Sequence, residues 1–162
     1  MEKKEESNQL LTSGKWFEEF ETGQQLNTAS RTITEADVVN FAGLSGDFNP
    51  VHIDAEFGKQ SIYGERVAHG LLVLSIATGL LVQTGMLDGT LGAFREIKRW
   101  KFRQPVYIGD TVCVVMDVAN TKAVPRMEGG LVEFKLDVTN QRDEVVMTGL
   151  FRVFMLSESA EL

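Results

Sequence analysis

The chain has a single cysteine, Cys113, among its 162 residues. One cysteine closes no internal disulfide, and without a second cysteine or clustered histidines beside it there is no zinc-ligand spacing. It lies in the apolar run Thr111-Val112-Cys113-Val114-Val115 and reads as a small buried hydrophobe. Positive charge is also short. Sixteen Lys and Arg stand against 23 Asp and Glu, a net charge of −7. That balance speaks against nucleic acid or an anionic membrane as a partner. There is no long hydrophobic run. The most apolar stretch, Leu71 to Val82, is interrupted by Ser75, Thr78 and Gly79. It is well short of the roughly 20 residues of a membrane span. The first eight residues, Met-Glu-Lys-Lys-Glu-Glu-Ser-Asn, have no apolar core of a secretory signal. A soluble, cytoplasmic protein is the expectation. The chain shows neither an internal repeat nor a low-complexity segment.

What is present is globular. Hydrophobic residues make up 43% and charged residues 24%, and the length suits one domain. Residues 1–14 are polar and of mixed charge, and read as a loose tail ahead of a single domain over 15–162. Trp16, Phe17 and Phe20 could anchor the tail's end. A short strand fits Gln25 to Ile33. Thr34-Glu35-Ala36-Asp37 resembles a helix capping box, with Asp in the place of Glu. The apolar face Val38, Val39, Phe41 and Ala42 follows, and Gly43 to Gly46 should break that helix. Pro50 disfavours helical geometry at Asn49, so Asp47 to His52 reads as loop. Asp54 can cap a short helix through Phe57, and Gly58 to Arg66 reads as a polar loop. His69-Gly70 then opens a helix over Leu71 to Val82, apolar nearly all round and so expected to be buried on most sides.

After Gly92 the period changes. Strands fit residues 92–103, 110–121, 130–140 and 144–156. Val132, Phe134, Leu136 and Val138 alternate with Glu133, Lys135, Asp137 and Thr139, the pattern of a half-buried strand. Strands this close together imply antiparallel meander pairing. The fold class is α+β: one long buried helix against a mostly antiparallel sheet.

Only two histidines exist, His52 and His69. Asp47 precedes His52 by five residues, across Asn49-Pro50, and such a loop can aim both side chains at one point. An Asp with a reference pKa near 3.9 and a His near 6.5 can work as an acid/base pair around neutrality. A purely structural Asp–His contact is the plain alternative. No His-x-x-x-His or similar ligand spacing points to a metal, and no cofactor is called for.

The longer string narrows the choice. Phe41-Ala42-Gly43-Leu44-Ser45-Gly46-Asp47-Phe48-Asn49-Pro50-Val51-His52-Ile53-Asp54 resembles the signature of (R)-specific enoyl-CoA hydratases and the MaoC-like dehydratase family. Arg66-Val67-Ala68-His69-Gly70 and Phe102-Arg103-Gln104-Pro105-Val106-Tyr107-Ile108-Gly109-Asp110-Thr111 extend the resemblance over about residues 25–156. The last string also occurs in related thioester-binding proteins, and so argues for fold more than activity. The resemblance implies a hot-dog fold, a long central helix wrapped by a curved antiparallel sheet. It also implies a homodimer or larger homo-oligomer with its sites near the subunit interface. The substrate would be an acyl thioester of CoA or of acyl carrier protein.

On this resemblance Asp47 and His52 take the catalytic positions and Gly70 the oxyanion hole. They would hydrate a trans-2-enoyl thioester to the (R)-3-hydroxyacyl product, or reverse that. Asn49 and His69 fall in supporting places, with His69 holding the turn before the helix. Ser45 and Asp54 read as loop and cap residues. Thr78 and Leu81 are candidates for the acyl pocket, with plain core packing as the alternative. Arg66, Lys98, Arg99, Lys101 and Arg103 are candidates for the CoA phosphates, against the alternative of a solvated strand face. The rival activities are an acyl-CoA thioesterase and a non-catalytic acyl-CoA-binding subunit.

Overall fold

A computed structural model of the chain describes residues 14–160. Residues 1–13 of the expected tail lie outside the described residues. The elements run β1 (Gln25–Asn27), β2 (Arg31–Thr32), α1 (Glu35–Ser45), α2 (Pro50–Ile53), α3 (Ala55–Gln60), α4 (Gly70–Val82), β3 (Leu91–Phe102), β4 (Thr111–Val124), β5 (Gly129–Thr139) and β6 (Val145–Leu156). The sheet order is β1-β4-β5-β6-β3, with β2 also paired to β4, and every pairing is antiparallel.

The meander expectation holds for β4, β5 and β6 but not for β3. That strand crosses to the far edge and pairs with β6. Period-two alternation tells which residues of β3 face in, not which neighbour it chooses. The consequence for the site is direct. The connector from β3 to β4, residues 103–110, has to span the sheet, and it passes the N-terminus of α4.

The core explains why α4 sits where it does. Leu72, Val73, Ile76, Ala77, Leu80 and Leu81 of α4 are buried against the inward residues of β4, β5 and β6, among them Val114, Met116, Phe134, Leu136, Phe151 and Val153. Each fully buried aliphatic or Phe side chain of this kind contributes about 1.5–3 kcal/mol. The burial is nevertheless one-sided: Leu71, Ser75 and Val82 form a stripe that faces out. Cys113 is half-buried rather than buried, its Sγ 3.2 Å from the Thr139 Oγ1.

The first helix starts where its capping box predicts. Thr34 Oγ1 accepts the Asp37 N–H, and the Asp37 carboxylate accepts the Thr34 N–H at 2.8 Å. The helix runs through Gly43 instead of breaking there, and stops at Gly46. Gly46 has φ of 78°, a left-handed conformation that glycine adopts without steric penalty.

The segment around Trp16 straps the end of the sheet away from the cavity described below. Gly14 and Lys15 N–H groups donate to the Asp88 and Met86 carbonyls at 3.0 and 2.9 Å. Phe20 is buried against Phe134, and the Phe17 ring packs close over Gly130. Gly130 pairs with Met155, whereas Met147 marks the cavity end of the same strand. Eight strand residues put about 26 Å between them. This segment therefore closes the fold, not the cavity.

A Cβ on Gly130 would lie 2.2 Å from the Phe17 ring. Gly130→Ala should destabilise by about 1–3 kcal/mol in urea unfolding. In a Phe17→Ala background most of that loss should vanish, as a double-mutant cycle reads directly. Equal losses in both backgrounds would show that the clash lies elsewhere.

Candidate active site

Two turns bring Asp47 and His52 together. At the end of α1, the Gly46 N–H closes on the Ala42 carbonyl at 2.8 Å, and the chain leaves the helix toward Asp47. The Asp47 N–H donates to Ser45 Oγ at 3.2 Å, and Asp47 Oδ1 accepts the Asn49 N–H at 3.2 Å. The loop expected through His52 ends sooner than that. Pro50 opens a helical turn, α2, with Asn49 as its cap: the Asn49 Oδ1 accepts the Val51 N–H at 3.3 Å. Proline fits the first position of a helix, where no N–H is needed, so its effect on Asn49 marks a helix start rather than a loop. His52 thus stands on a turn of helix while Asp47 stays on the loop.

His52 is oriented from behind. Its Nδ1 lies 2.7 Å from the Val67 carbonyl oxygen, which can only accept. Nδ1 therefore carries the proton, and in the neutral ring Nε2 presents a lone pair. Nε2 is 4.0 Å from Asp47 Oδ2. That gap is too long for a direct hydrogen bond and short enough for one water to touch both atoms. The His52 side chain is 13% exposed and that of Asp47 53%, so the pair joins a sheltered ring to a solvent-reached carboxylate.

His69 ties the two together. It is 2% exposed, and its Nε2 donates to the Asp47 backbone carbonyl at 2.9 Å. Its ring stacks on that of His52 with centroids 3.8 Å apart, and the Phe41 ring packs against it at a tilt, with centroids 5.1 Å apart. The His69 Nδ1 is buried with no hydrogen-bond partner among the described residues. Asp47, His52 and His69 each offer a ligand atom, all within 4.8 Å of one another. The absence of metal-type spacing in sequence thus did not foretell this gathering. Each ring, however, already has one nitrogen committed to a carbonyl.

Beside the pair lies a cavity of about 680 Å³, walled by Val51, His52, Gly70, Leu71, Phe102 and Met147, with Arg103 and Gln104 from the β3–β4 connector. Gly70 is the first residue of α4, where a backbone N–H has no intrahelical partner and the helix dipole favours negative charge. A Cβ there would lie 2.7 Å from the Phe102 ring. The bare Gly70 thus lets an aromatic side chain, or a ligand in its place, come down onto the helix start.

The other candidates divide. The cavity does not reach Thr78 or Leu81. The Thr78 hydroxyl is bonded to the Leu74 carbonyl at 3.0 Å, and Leu81 is 3% exposed in the core. Arg66 makes a two-pronged pair with Glu35, and this bond holds the Glu35 carboxyl below its ordinary pKa. Lys98 pairs with Glu133 at 2.6 Å. Neither cation is free for a phosphate. Arg99, Lys101 and Arg103 have no ion-pair partner among the described residues.

Sequence reasoning passed over Asp110, which holds the cavity wall. Burial alone would push its carboxyl up, but the Tyr107 N–H, the Gln141 amide and Arg142 together hold it below the ordinary carboxylate value. These bonds clamp the connector to the β5–β6 hairpin, and the connector in turn bonds Ala68 through the Val106 carbonyl at 2.8 Å. An acid directly after a Gly109 turn was the available signal.

The central helix and the antiparallel sheet that packs on it define a hot-dog domain. Residues 18–140 match the family described as MaoC like domain, and the chain belongs to that family. It is 36% identical over 124 residues to an (R)-specific enoyl-CoA hydratase of Rhodospirillum rubrum, covering 76% of this chain and 81% of that protein. It is 45% identical over 100 residues to Protein MaoC of Klebsiella aerogenes, covering 62% of this chain but 29% of that longer protein. In structure it resembles a protein of Archaeoglobus described as a monoamine oxidase regulatory protein, with TM-score 0.83, 38% identity, and 89% and 95% of the two chains covered. A Mycobacterium tuberculosis protein with a double hotdog fold has TM-score 0.75 at 19% identity, over 92% of this chain and 46% of that one, a likeness of fold alone.

The Asp110 clamp has a pH signature. A carboxylate whose folded-state pKa is depressed stabilises the fold above the unfolded-state value, about 3.9, and that stabilisation is lost as pH falls through the lower folded-state value. The stability difference between wild type and Asp110→Asn should be constant from about pH 7 to 5 and shrink below about pH 4. Urea unfolding across that range measures it, and a difference unchanged down to pH 2 would contradict the assignment.

Proposed function

We propose that the chain is a hydro-lyase that adds water across the double bond of a trans-2-enoyl-CoA to give the (R)-3-hydroxyacyl-CoA, and catalyses the reverse dehydration. The observation that carries this reading is the 4.0 Å gap between Asp47 Oδ2 and His52 Nε2, beside a cavity lined by Gly70 at the start of α4. The names of the relatives, an enoyl-CoA hydratase and a 3-hydroxybutyryl-CoA dehydratase, supply the substrate class.

The chemistry follows from the donor and acceptor inventory. The ionised Asp47 and the Nε2 lone pair of His52 are both acceptors. A water between them donates a proton to each, which turns its oxygen lone pair outward. With the enoyl thioester in the cavity, that lone pair faces C3. As the C3–O bond forms, the pair takes one proton from the water, and the electrons of the double bond move toward the thioester oxygen. The Gly70 N–H and the α4 dipole stabilise the charge that develops there. The proton then passes from the pair to C2, so the elements of one water are added and nothing is left over. Dehydration runs the same steps backward.

His69 is a positioning residue in this scheme. Its bond to the Asp47 carbonyl and its stack on His52 set the distance between the two acceptors. Asn49 positions the pair as well, by capping the turn that carries His52 and bonding the Asp47 carboxylate through its N–H. In the proposed assembly two or more copies of the chain associate.

With crotonyl-CoA, the wild type should remove enoyl absorbance without releasing free thiol. Asp47→Asn and His52→Gln should each lower kcat by about 10²–10⁴-fold while the circular dichroism spectrum stays that of the wild type. Thiol release at the rate of absorbance loss would instead identify a thioesterase, and wild-type turnover in both variants would remove the pair from the mechanism. His69→Gln keeps an N–H near the place of Nε2 and loses the stacked ring. It should lower kcat about tenfold with little change in KM, and His69→Ala should lower it further. Equal effects of Gln and Ala would assign the loss to the ring stack alone.

A further inference from the structure

Asp47, His52 and His69 bring two imidazoles and a carboxylate to one point. Each offers a ligand atom, and the three atoms lie within 4.8 Å of one another. They come from the loop after α1, the turn α2 and the residue that precedes α4. That donor set selects among cations. Mg²⁺ and Ca²⁺ favour sites made wholly of oxygen, whereas zinc takes imidazole nitrogen and carboxylate oxygen together. The Asp47 side chain is 53% exposed, so an ion can reach the group from solvent.

The geometry is close to what zinc asks for. Bonds of about 2.0–2.2 Å in a tetrahedral site set the ligand atoms about 3.3–3.5 Å apart. His52 Nε2 and Asp47 Oδ2 are 4.0 Å apart, and the half-open Asp47 side chain can close that gap. His52 needs no change of proton. The Val67 carbonyl holds the proton on Nδ1 and leaves the Nε2 lone pair for the ion. Imidazoles that ligate metals almost always donate their other N–H in this way, to a carbonyl, a carboxylate or a water. His69 supplies the independent sign. It is 2% exposed, and its Nδ1 has no hydrogen-bond partner among the described residues. Buried polar atoms without a partner are rare and mark strain, chemistry or an absent ligand. Its Nε2 donates to the Asp47 carbonyl at 2.9 Å. The Nδ1 atom has no bond to lose, so it can take the ring proton, and Nε2, on the Asp47 side, then turns a lone pair to the ion.

We propose that Asp47, His52 and His69 bind one Zn²⁺ ion, and that the bound ion shuts the site off. The inhibition rests on the hydro-lyase reading, whereas the binding does not. In that reading a water lies between His52 Nε2 and the Asp47 carboxylate and donates a proton to each. The ion takes the place of that water and occupies both lone pairs, so neither group is left to accept a proton. The bond from His69 to the Asp47 carbonyl is given up as the ion binds, and with it the contact that sets the position of Asp47. Two neutral imidazoles and one carboxylate leave the ion a single positive charge and a fourth position for solvent. Such a site is reversible and weaker than a closed structural one, which suits an inhibitor that comes and goes.

The test starts from the full chain stripped of metal with a chelator. Calorimetry with zinc chloride should show one ion per chain with a Kd in the micromolar range. Co²⁺ in place of zinc should give the visible absorption of a four-coordinate ion. Asp47→Asn, His52→Gln and His69→Gln should each weaken zinc binding about tenfold or more. Asp47 is half exposed, so its replacement reads binding without endangering the fold. Cys113→Ser, which removes the thiol in the β4–β5 pairing, should bind zinc as the wild type does. Hydration of crotonyl-CoA by the metal-free wild type should fall with added zinc at the midpoint of the calorimetric titration, and return when EDTA is added. Zinc binding unchanged in Asp47→Asn, or lost in Cys113→Ser, would overturn the site. Turnover unaffected or raised by saturating zinc would overturn the inhibition. If the metal-free wild type did not hydrate crotonyl-CoA yet bound zinc through Asp47 and the two histidines, the hydro-lyase reading would fail and the zinc site would stand.

Discussion

The hydrogen bond from His52 Nδ1 to the Val67 carbonyl is the contact on which the site depends. It does three things at once. It fixes the tautomer, so that the lone pair of the neutral ring is on Nε2 and faces Asp47. It ties the turn that carries His52 to the segment leading into α4, a tie doubled by the Val67 N–H donating to the Val51 carbonyl at 3.2 Å. And it places His52 within stacking distance of His69, two residues beyond Val67. His69 then reaches back to the Asp47 carbonyl. Asp47, His52 and the glycine at the helix start are therefore held by one short loop of interactions, from Asp47 through His69 and Val67 to His52. Side chains that must keep a water between them need this kind of support, because a shift of an ångström changes which atoms the water can touch.

The support continues outward through the backbone. Ala68 is bonded to Val106 of the β3–β4 connector, and the connector is clamped by Asp110 to the β5–β6 hairpin. The apolar packing of α4 on the sheet supplies the rigid floor. The polar bonds then set the geometry of the rim. The two carboxylates illustrate the division. Asp110 is buried and saturated with donors, which suits a clamp. Asp47 is half open to solvent, which suits a group that meets water and substrate.

How much of this could be read in the sequence depended on whether the signal was local. The Thr34–Asp37 capping box, the Asp54 cap and the alternation of β5 are decided within a few residues, and each appears in the structure as expected. Pro50 was also a local signal, but an ambiguous one. Its restriction of Asn49 fits a loop or the residue before a helix, and here Asn49 is the cap. The position of β3 at the far edge was not legible, since inward-facing pattern carries no information about the neighbour. The same holds for the cations. Arg66 and Lys98 look as available as Lys101 in the sequence, and only the fold brings Glu35 and Glu133 to them across 31 and 35 residues. The pairing of Asp47 with His52 was suggested by spacing, whereas His69 as the link between them rests on a ring stack that no spacing reveals.

The central claim is that one water, held between Asp47 and His52 on a single side of the substrate, supplies the hydroxyl while the same pair delivers the proton. Hydration of crotonyl-CoA in deuterium oxide tests it most directly, with the product analysed for chirality at C3 and for the position of deuterium at C2. The account predicts the (R)-3-hydroxyacyl product with one deuterium at C2 added to the same face as the hydroxyl. Addition to opposite faces, or a product racemic at C3, would contradict it.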